Sequence, residues 1–261
     1  MSTMSTETES KESQEMTLVG GQTDTTLYAV GVILAAVYAV SGFIPISAFL
    51  GSAGPLAQLT LTICIAPLFG ILLGPYRGFL FGLVAGLITA FLPGISLFVP
   101  TVIIGPAISG FLTGLCLKPR TRIGSVEVPG PLLTALYLIA IMILYLIPNS
   151  SAWWFMIYYG VAAVIAVSLQ FSPVIFDSSK KGFAAFLQVI PLTLIGTMTD
   201  FSMMTMGAVY LLDIPAFVFG TVIFPFMLAE RSAATIISAI VASLVLVSFR
   251  NLSWGADVSR G

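Results

Sequence analysis

The chain contains no histidine, only two cysteines, and so few charged residues that most of its length carries none. Without imidazole, histidine-ligated zinc sites, haem axial histidines, HExxH proteases and Ser-His or Cys-His nucleophile pairs are excluded. Charge is scarcer still relative to need. Asp, Glu, Lys and Arg make up 8% of the 261 residues, against roughly 25% in a soluble globular domain. Residues 25–76, 78–117 and 128–176 contain no charged side chain at all, while 58% of the chain is hydrophobic. A water-soluble fold cannot cover its surface in this way, so the chain reads as a polytopic membrane protein. A net charge of −1 without a clustered basic face argues against nucleic-acid binding. Cys64 and Cys116 lie in apolar runs, where a thiol usually serves as a small core hydrophobe.

Most of the charge falls into three groups. Five acids, Glu7, Glu9, Glu12, Glu15 and Asp24, lie in a Ser/Thr/Glu-rich segment 1–25. Such a composition cannot offset its ordering entropy and reads as a disordered polar tail. Its acidic character is unlike a secretory leader. The second group, Arg77, Lys118, Arg120, Arg122, Lys180, Lys181 and Arg250, falls between apolar runs. Basic residues gather in cytoplasmic loops, which predicts a cytoplasmic N-terminus in a cell-membrane protein. The third group is Asp200, Asp213, Glu230 and Arg231, within the apolar C-terminal third.

A membrane span needs about 20 apolar residues. Turn signals divide the chain into runs near 26–44, 56–74, 76–92, 97–117, 131–148, 152–171 and 183–200, the run from 183 extending either to Asp200 or as far as Leu212, followed by 214–249. The last run would reach about 54 Å as one helix. It is therefore expected to break between Pro225 and Arg231, leaving either one span and a re-entrant piece or two short spans. The organisation is an all-α polytopic bundle of about eight transmembrane helices, one domain over 26–250, with a C-terminal tail 251–261.

Small residues recur at spacing four, as Gly31, Ala35 and Ala39, as Gly78, Gly82, Gly86 and Ala90, and as Gly110 and Gly114. Close packing by small residues replaces hydrophobic burial between helices in lipid, and for the last two sets internal packing is the expected use. No GxxxxGK[ST] loop is present, so any ATP-driven step would need another polypeptide.

Ionisable groups at membrane depth are costly and point first to function. Counting from Gly182, Asp200 falls about 27 Å along a helix, near the outer edge, and a last span starting at Glu230 would bring Glu230 and Arg231 to that level. Either a mutual ion pair or a ligand site would use them. Asp213, beside Pro215, suggests a helix N-cap. The stretch Trp153-Trp154-Phe155-Met156-Ile157-Tyr158-Tyr159 suits an interfacial belt, or a stacking wall for a planar ligand with Trp154 in it. Too few acids remain for a proton relay, and no catalytic residues or cofactor are indicated.

Residues 33–39 (ILAAVYA), 66–75 (APLFGILLGP), 78–86 and 224–231 (FPFMLAER) resemble the substrate-binding S components of energy-coupling-factor (ECF) transporters. The resemblance implies an integral membrane subunit that captures a vitamin or similar micronutrient in an outward-facing pocket. It further implies partners, a transmembrane T component and two cytoplasmic ATPases, with Ala35 and Ala39 as the docking ridge and Gly31 extending it. The ligand would lie among the loop 45–55 and the later helices that carry Asp200, Glu230 and Arg231. Members usually have six spans, so 131–171 would be an added hairpin on a six-helix core. A stand-alone secondary permease, or a structural accessory subunit of a larger membrane complex, would fit the same composition.

Overall fold

A computed structural model describes residues 24–44, 60–91, 99–172 and 183–257. It is an all-helical bundle apart from one short β-hairpin. The helices are α1 (Asp24–Ser41), α2 (Ala66–Ala90), α3 (Val99–Leu115), α4 (Gly130–Asn149), α5 (Ile157–Phe171), α6 (Phe183–Tyr210) and α7 (Phe224–Asp257). The hairpin pairs β1 (Thr121–Ile123) antiparallel with β2 (Val126–Val128), setting Arg122 opposite Glu127. Four helical stretches, Ala66–Ala90, Gly130–Phe171, Phe183–Tyr210 and Ala216–Ser248, are long and apolar enough to cross a membrane, and Thr25–Ser41 and Ile103–Leu115 are shorter apolar helices. The chain thus has the character of a membrane protein. The loop expected at 45–55 and the tail 1–23 lie outside the described residues. Asp24 opens α1 instead of closing that tail, and α7 runs on to Asp257, past the expected boundary at 250.

α2 is not one straight rod. Gly74 adopts φ 75°, ψ −176° in its middle, followed by Pro75. That left-sided φ suits glycine, and proline removes the next N–H donor. The chain doubles back there, because a Cβ on Gly78 would stand 2.8 Å from the Phe69 carbonyl oxygen; residues nine apart on a straight helix are separated by about 13 Å. The leading half, entered through a 3₁₀ turn Leu61–Cys64, is buried at every position from Thr62 to Pro75. A segment hydrophobic all round belongs in a core, and this half-helix is the bundle's axis. Tyr38 of α1 packs on Phe69 with ring centroids 5.9 Å apart. Gly196 of α6 abuts Pro67, and Gly70 abuts the α3 backbone at Gly110 and Gly114. From α7, the Ser238 hydroxyl donates to the Cys64 carbonyl. The second run expected at 56–74 is therefore a central half-helix in its described part.

The glycine ridge of α2 meets α3 in antiparallel register. Gly78 faces Gly110, Gly82 faces Pro106 and Ala107, Gly86 faces Ile103, and Gly74-Pro75 face Gly114. At each position an added Cβ would overlap backbone, so the two helices approach as closely as helices can. This is the internal packing that the spacing predicts.

One end of the bundle is basic. The Tyr76 hydroxyl donates to the Arg122 carbonyl at 2.8 Å, Arg77 stacks over Tyr28 with 5.6 Å to the ring centroid, and Gln170 donates to the Pro119 carbonyl at 3.0 Å. Arg77 and the 118–122 segment thus share one end with the start of α1. The opposite end is aromatic. Tyr210 donates to the Leu144 carbonyl at 2.7 Å, and the Trp154 indole N–H donates to the Gly220 carbonyl at 3.1 Å.

The last run does not break between Pro225 and Arg231. A helical turn Ala216–Val218 passes through a π-turn Phe219–Ile223 into α7, with the Phe224 N–H bonded to the Phe219 carbonyl. Pro225 lacks an N–H and crowds the preceding turn, and widening that turn lets the helix continue through Glu230 and Arg231. Asp213 is not an N-cap either. It sits at φ 47° in the turn that follows α6, where the Ile214 N–H closes onto the Ala208 carbonyl at 3.1 Å. Pro215 caps the next turn.

Candidate functional site

α6 and α7 face each other along a polar seam that has no counterpart among the described residues. On α6, Thr193, Thr197, Thr199, Asp200, Ser202 and Thr205 are all buried, as are Glu230, Arg231, Thr235 and Ser238 on α7. The hydroxyls are largely satisfied locally. The Thr193 hydroxyl donates to the Thr235 carbonyl at 3.2 Å, that of Thr235 to the Arg231 carbonyl at 2.7 Å, and that of Ser202 to the Thr199 carbonyl at 2.6 Å. Such bonds let polar residues sit inside a helix pair at little cost.

The charges at the centre are not so well served. Arg231 has 0% exposure and is the largest fully buried side chain among the described residues. Its Nη1 lies 3.7 Å from Oδ2 of Asp200 and donates to the Thr197 carbonyl at 3.4 Å. Its Nη2 lies 3.9 Å from Oε1 of Glu230. Charge-assisted bonds normally close to about 2.7–2.9 Å, so both ion pairs are loose. Arg231 Nε and Nη2 and Glu230 Oε1 have no hydrogen-bond partner among the described residues. The guanidinium instead stacks on the Phe201 ring, 4.2 Å from its centroid, a cation–π contact that holds its plane. Phe201 is itself stacked on Tyr159 at 6.2 Å and 19°.

Neighbouring helices frame the three charges. Gly105 of α3 makes the notch for Asp200, since a Cβ there would stand 2.8 Å from Oδ1. Tyr137 of α4 bonds the Ser202 hydroxyl at 2.6 Å. From α5, Tyr159 bonds that of Thr205 at 2.7 Å and Tyr158 that of Ser232 at 3.0 Å.

Asp200 is not the last residue of its helix: α6 continues to Tyr210, ten residues or about 15 Å further, in line with the longer of the two extents that the sequence allows for this run. Arg231 is likewise near the middle of the stretch Ala216–Ser248. The charges lie mid-helix, inside the bundle.

The structure thus brings Asp200, Glu230 and Arg231 together, but not the other predicted residues. Trp154 packs on Gly220 and edge-on to Trp153, holding the π-turn; the aromatic ring at the charges is Phe201. Gly31 is filled by the Phe81 ring and Ala35 is 3% exposed, so these two face the bundle's interior. Ala39 is half-buried. The outward surface of α1 is Val32, Ile33, Val37 and Val40. Sequence reasoning missed Phe201, Gly105 and Thr197, none of which carries a charge to draw notice; adjacency to Asp200 was the one available signal for Phe201.

No family model matches the chain, and no curated protein or solved structure shows significant similarity to it.

Proposed function

We propose that the chain is the substrate-binding membrane subunit of an ATP-driven importer for a vitamin or similar micronutrient, with the ligand meeting Asp200, Glu230 and Arg231. The observation that carries the binding role is Arg231, a fully buried guanidinium between two loosely held carboxylates. A buried charge cluster kept for stability alone would be expected to close its hydrogen bonds, because unpaired buried charge costs several kcal/mol. The importer assignment rests on the resemblance to ECF S components. In that arrangement a T component and two ATPases supply the energy that this chain, lacking a phosphate-binding loop, cannot. Docking through Gly31 and Ala35 does not enter the proposal, because both are packed inside the chain.

A stand-alone secondary permease is the second reading, and a specific feature favours it. Carriers of that kind bind their substrate mid-membrane beside discontinuous helices, and here the buried half-helix ending at Gly74 runs beside charges at mid-helix. Purification in mild detergent, with mass spectrometry of everything retained, tests both. The importer reading expects one small molecule near stoichiometric amounts, lost in Arg231→Lys, together with ATPase subunits. Uptake of that molecule by liposomes containing this chain alone would favour the permease. A chain that reproducibly emerges empty would return it to an accessory role.

A further inference from the structure

Taking the binding role of the Arg231 cluster as given, we infer that its ligand is a small amino carboxylate zwitterion, whose carboxylate meets the Nε/Nη2 edge of Arg231 and whose ammonium meets Glu230. The two unpartnered nitrogens of Arg231 are Nε and Nη2. These form the side-on fork of a guanidinium, with two parallel N–H donors spaced for the two oxygens of a carboxylate. The other edge is in use, since Nη1 donates to Thr197 and faces Asp200. The face is covered by Phe201. One complete bidentate donor edge is therefore left on a side chain with no solvent exposure. Beside it stands an unpartnered acceptor, Oε1 of Glu230, 3.9 Å from Nη2 and on a side chain 2% exposed.

Charge balance narrows the class. A simple carboxylate would add a further acid to an interior that already holds the Asp200 and Glu230 carboxyls. A simple ammonium ion would satisfy Glu230 but leave the fork empty and repel the guanidinium. A molecule with both groups a few bonds apart satisfies donor and acceptor and adds no net charge. Buried polar groups that go unpaired with the wrong ligand provide the discrimination.

The test is calorimetric titration of the purified full-length chain in lipid nanodiscs. Probes are the twenty common amino acids taken singly, β-alanine and 4-aminobutyrate, with acetate, methylammonium and glycinamide as controls. At least one amino carboxylate should bind saturably while all three controls fail. Arg231→Lys, which keeps the charge but loses the fork, should weaken that binding by about tenfold or more, with the thermal midpoint of the empty protein little changed. Glu230→Gln should weaken it as well, which guards against a loss of folding in the first variant. Binding of acetate or glycinamide as tight as any amino carboxylate, or unchanged affinity in Arg231→Lys, would overturn the zwitterion assignment while leaving a binding subunit. Failure of every probe would also overturn it. If the wild-type chain additionally purifies empty, the binding role itself falls.

Discussion

The α2–α3 seam and the α6–α7 seam solve the same problem, holding two helices together in an apolar surrounding, in opposite ways. At the first, Gly78, Gly82 and Gly86 bring backbone against backbone. At the second, a row of hydroxyls surrounds three charges, with Arg231 fully buried and partly unpartnered. Where only cohesion is needed, small residues suffice and nothing polar is left exposed to lipid. Loosely paired charges contribute little to cohesion, because their desolvation offsets most of their attraction. The contrast therefore separates a seam built for cohesion from the seam to which we assign the proposed binding role.

The largest effect should come from breaking the charged seam on one side only. Arg231→Met leaves Asp200 and Glu230 buried without a counter-charge, and removing one partner of a buried pair costs about 3–5 kcal/mol. The expected outcome is a large loss of monodisperse protein on size-exclusion chromatography. The triple change Asp200→Asn, Glu230→Gln, Arg231→Met removes the charge as a set and should recover most of that loss, with ligand binding abolished. Failure of the triple variant to recover would make the cluster a structural element after all.

Next in size is the glycine seam. Gly82→Leu drives a side chain into the Pro106 and Ala107 backbone, where no flexible neighbour can yield. Overpacking costs about 1–3 kcal/mol and occasionally more, read as a lower thermal midpoint. Unlike the charged seam, it should have no companion substitution on α6 or α7 that restores it. A normal midpoint for Gly82→Leu would mean that the two helices need not approach so closely.

The two seams were not equally legible. A spacing of four states that small residues form a stripe, and for Gly78, Gly82 and Gly86 the nearest stripe in sequence, on α3, is indeed the partner. The same spacing at Gly31 and Ala35 carries no statement of direction, and it is Phe81, not a second protein, that fills the gap. Scarcity of charge was enough to single out Asp200, Glu230 and Arg231. For the run that carries Asp200 the sequence leaves two extents open, and α6 takes the longer, continuing past the charge to Tyr210. The continuity of α7 through Pro225 was also hidden, since a π-turn is set by how the preceding turn relaxes, not by a residue pattern. Nor could sequence show the reversal at Gly74 packing its leading half as the bundle's axis, because an apolar run reads alike whether it faces lipid or protein.

A smaller effect joins the two seams. Gly105 belongs to α3, yet its missing side chain gives room to Oδ1 of Asp200. Gly105→Ala would push that carboxylate away and change the Asp200–Arg231 contact without removing any charge. Stability should fall by about 1 kcal/mol, whereas ligand affinity should drop several-fold. Equal affinity in Gly105→Ala would show that Asp200 is not held in a fixed position for binding.

The smallest expected effect concerns Trp154, which has the aromatic surface of a ligand wall but is placed elsewhere. Its indole N–H donates to the Gly220 carbonyl inside the π-turn, a group that helical geometry leaves without its usual partner. Trp154→Phe keeps an aromatic ring but removes the donor and part of the indole surface packed on Gly220. A hydrogen bond of this kind between membrane helices is worth about 0.6 kcal/mol, rising to 1–2 in favourable cases. The thermal midpoint should therefore fall slightly and ligand affinity should not move. A clear loss of affinity would carry the binding site from the charges on α6 and α7 up to the aromatic end of the bundle, and the separation of cohesive from functional surfaces would have to be drawn there instead.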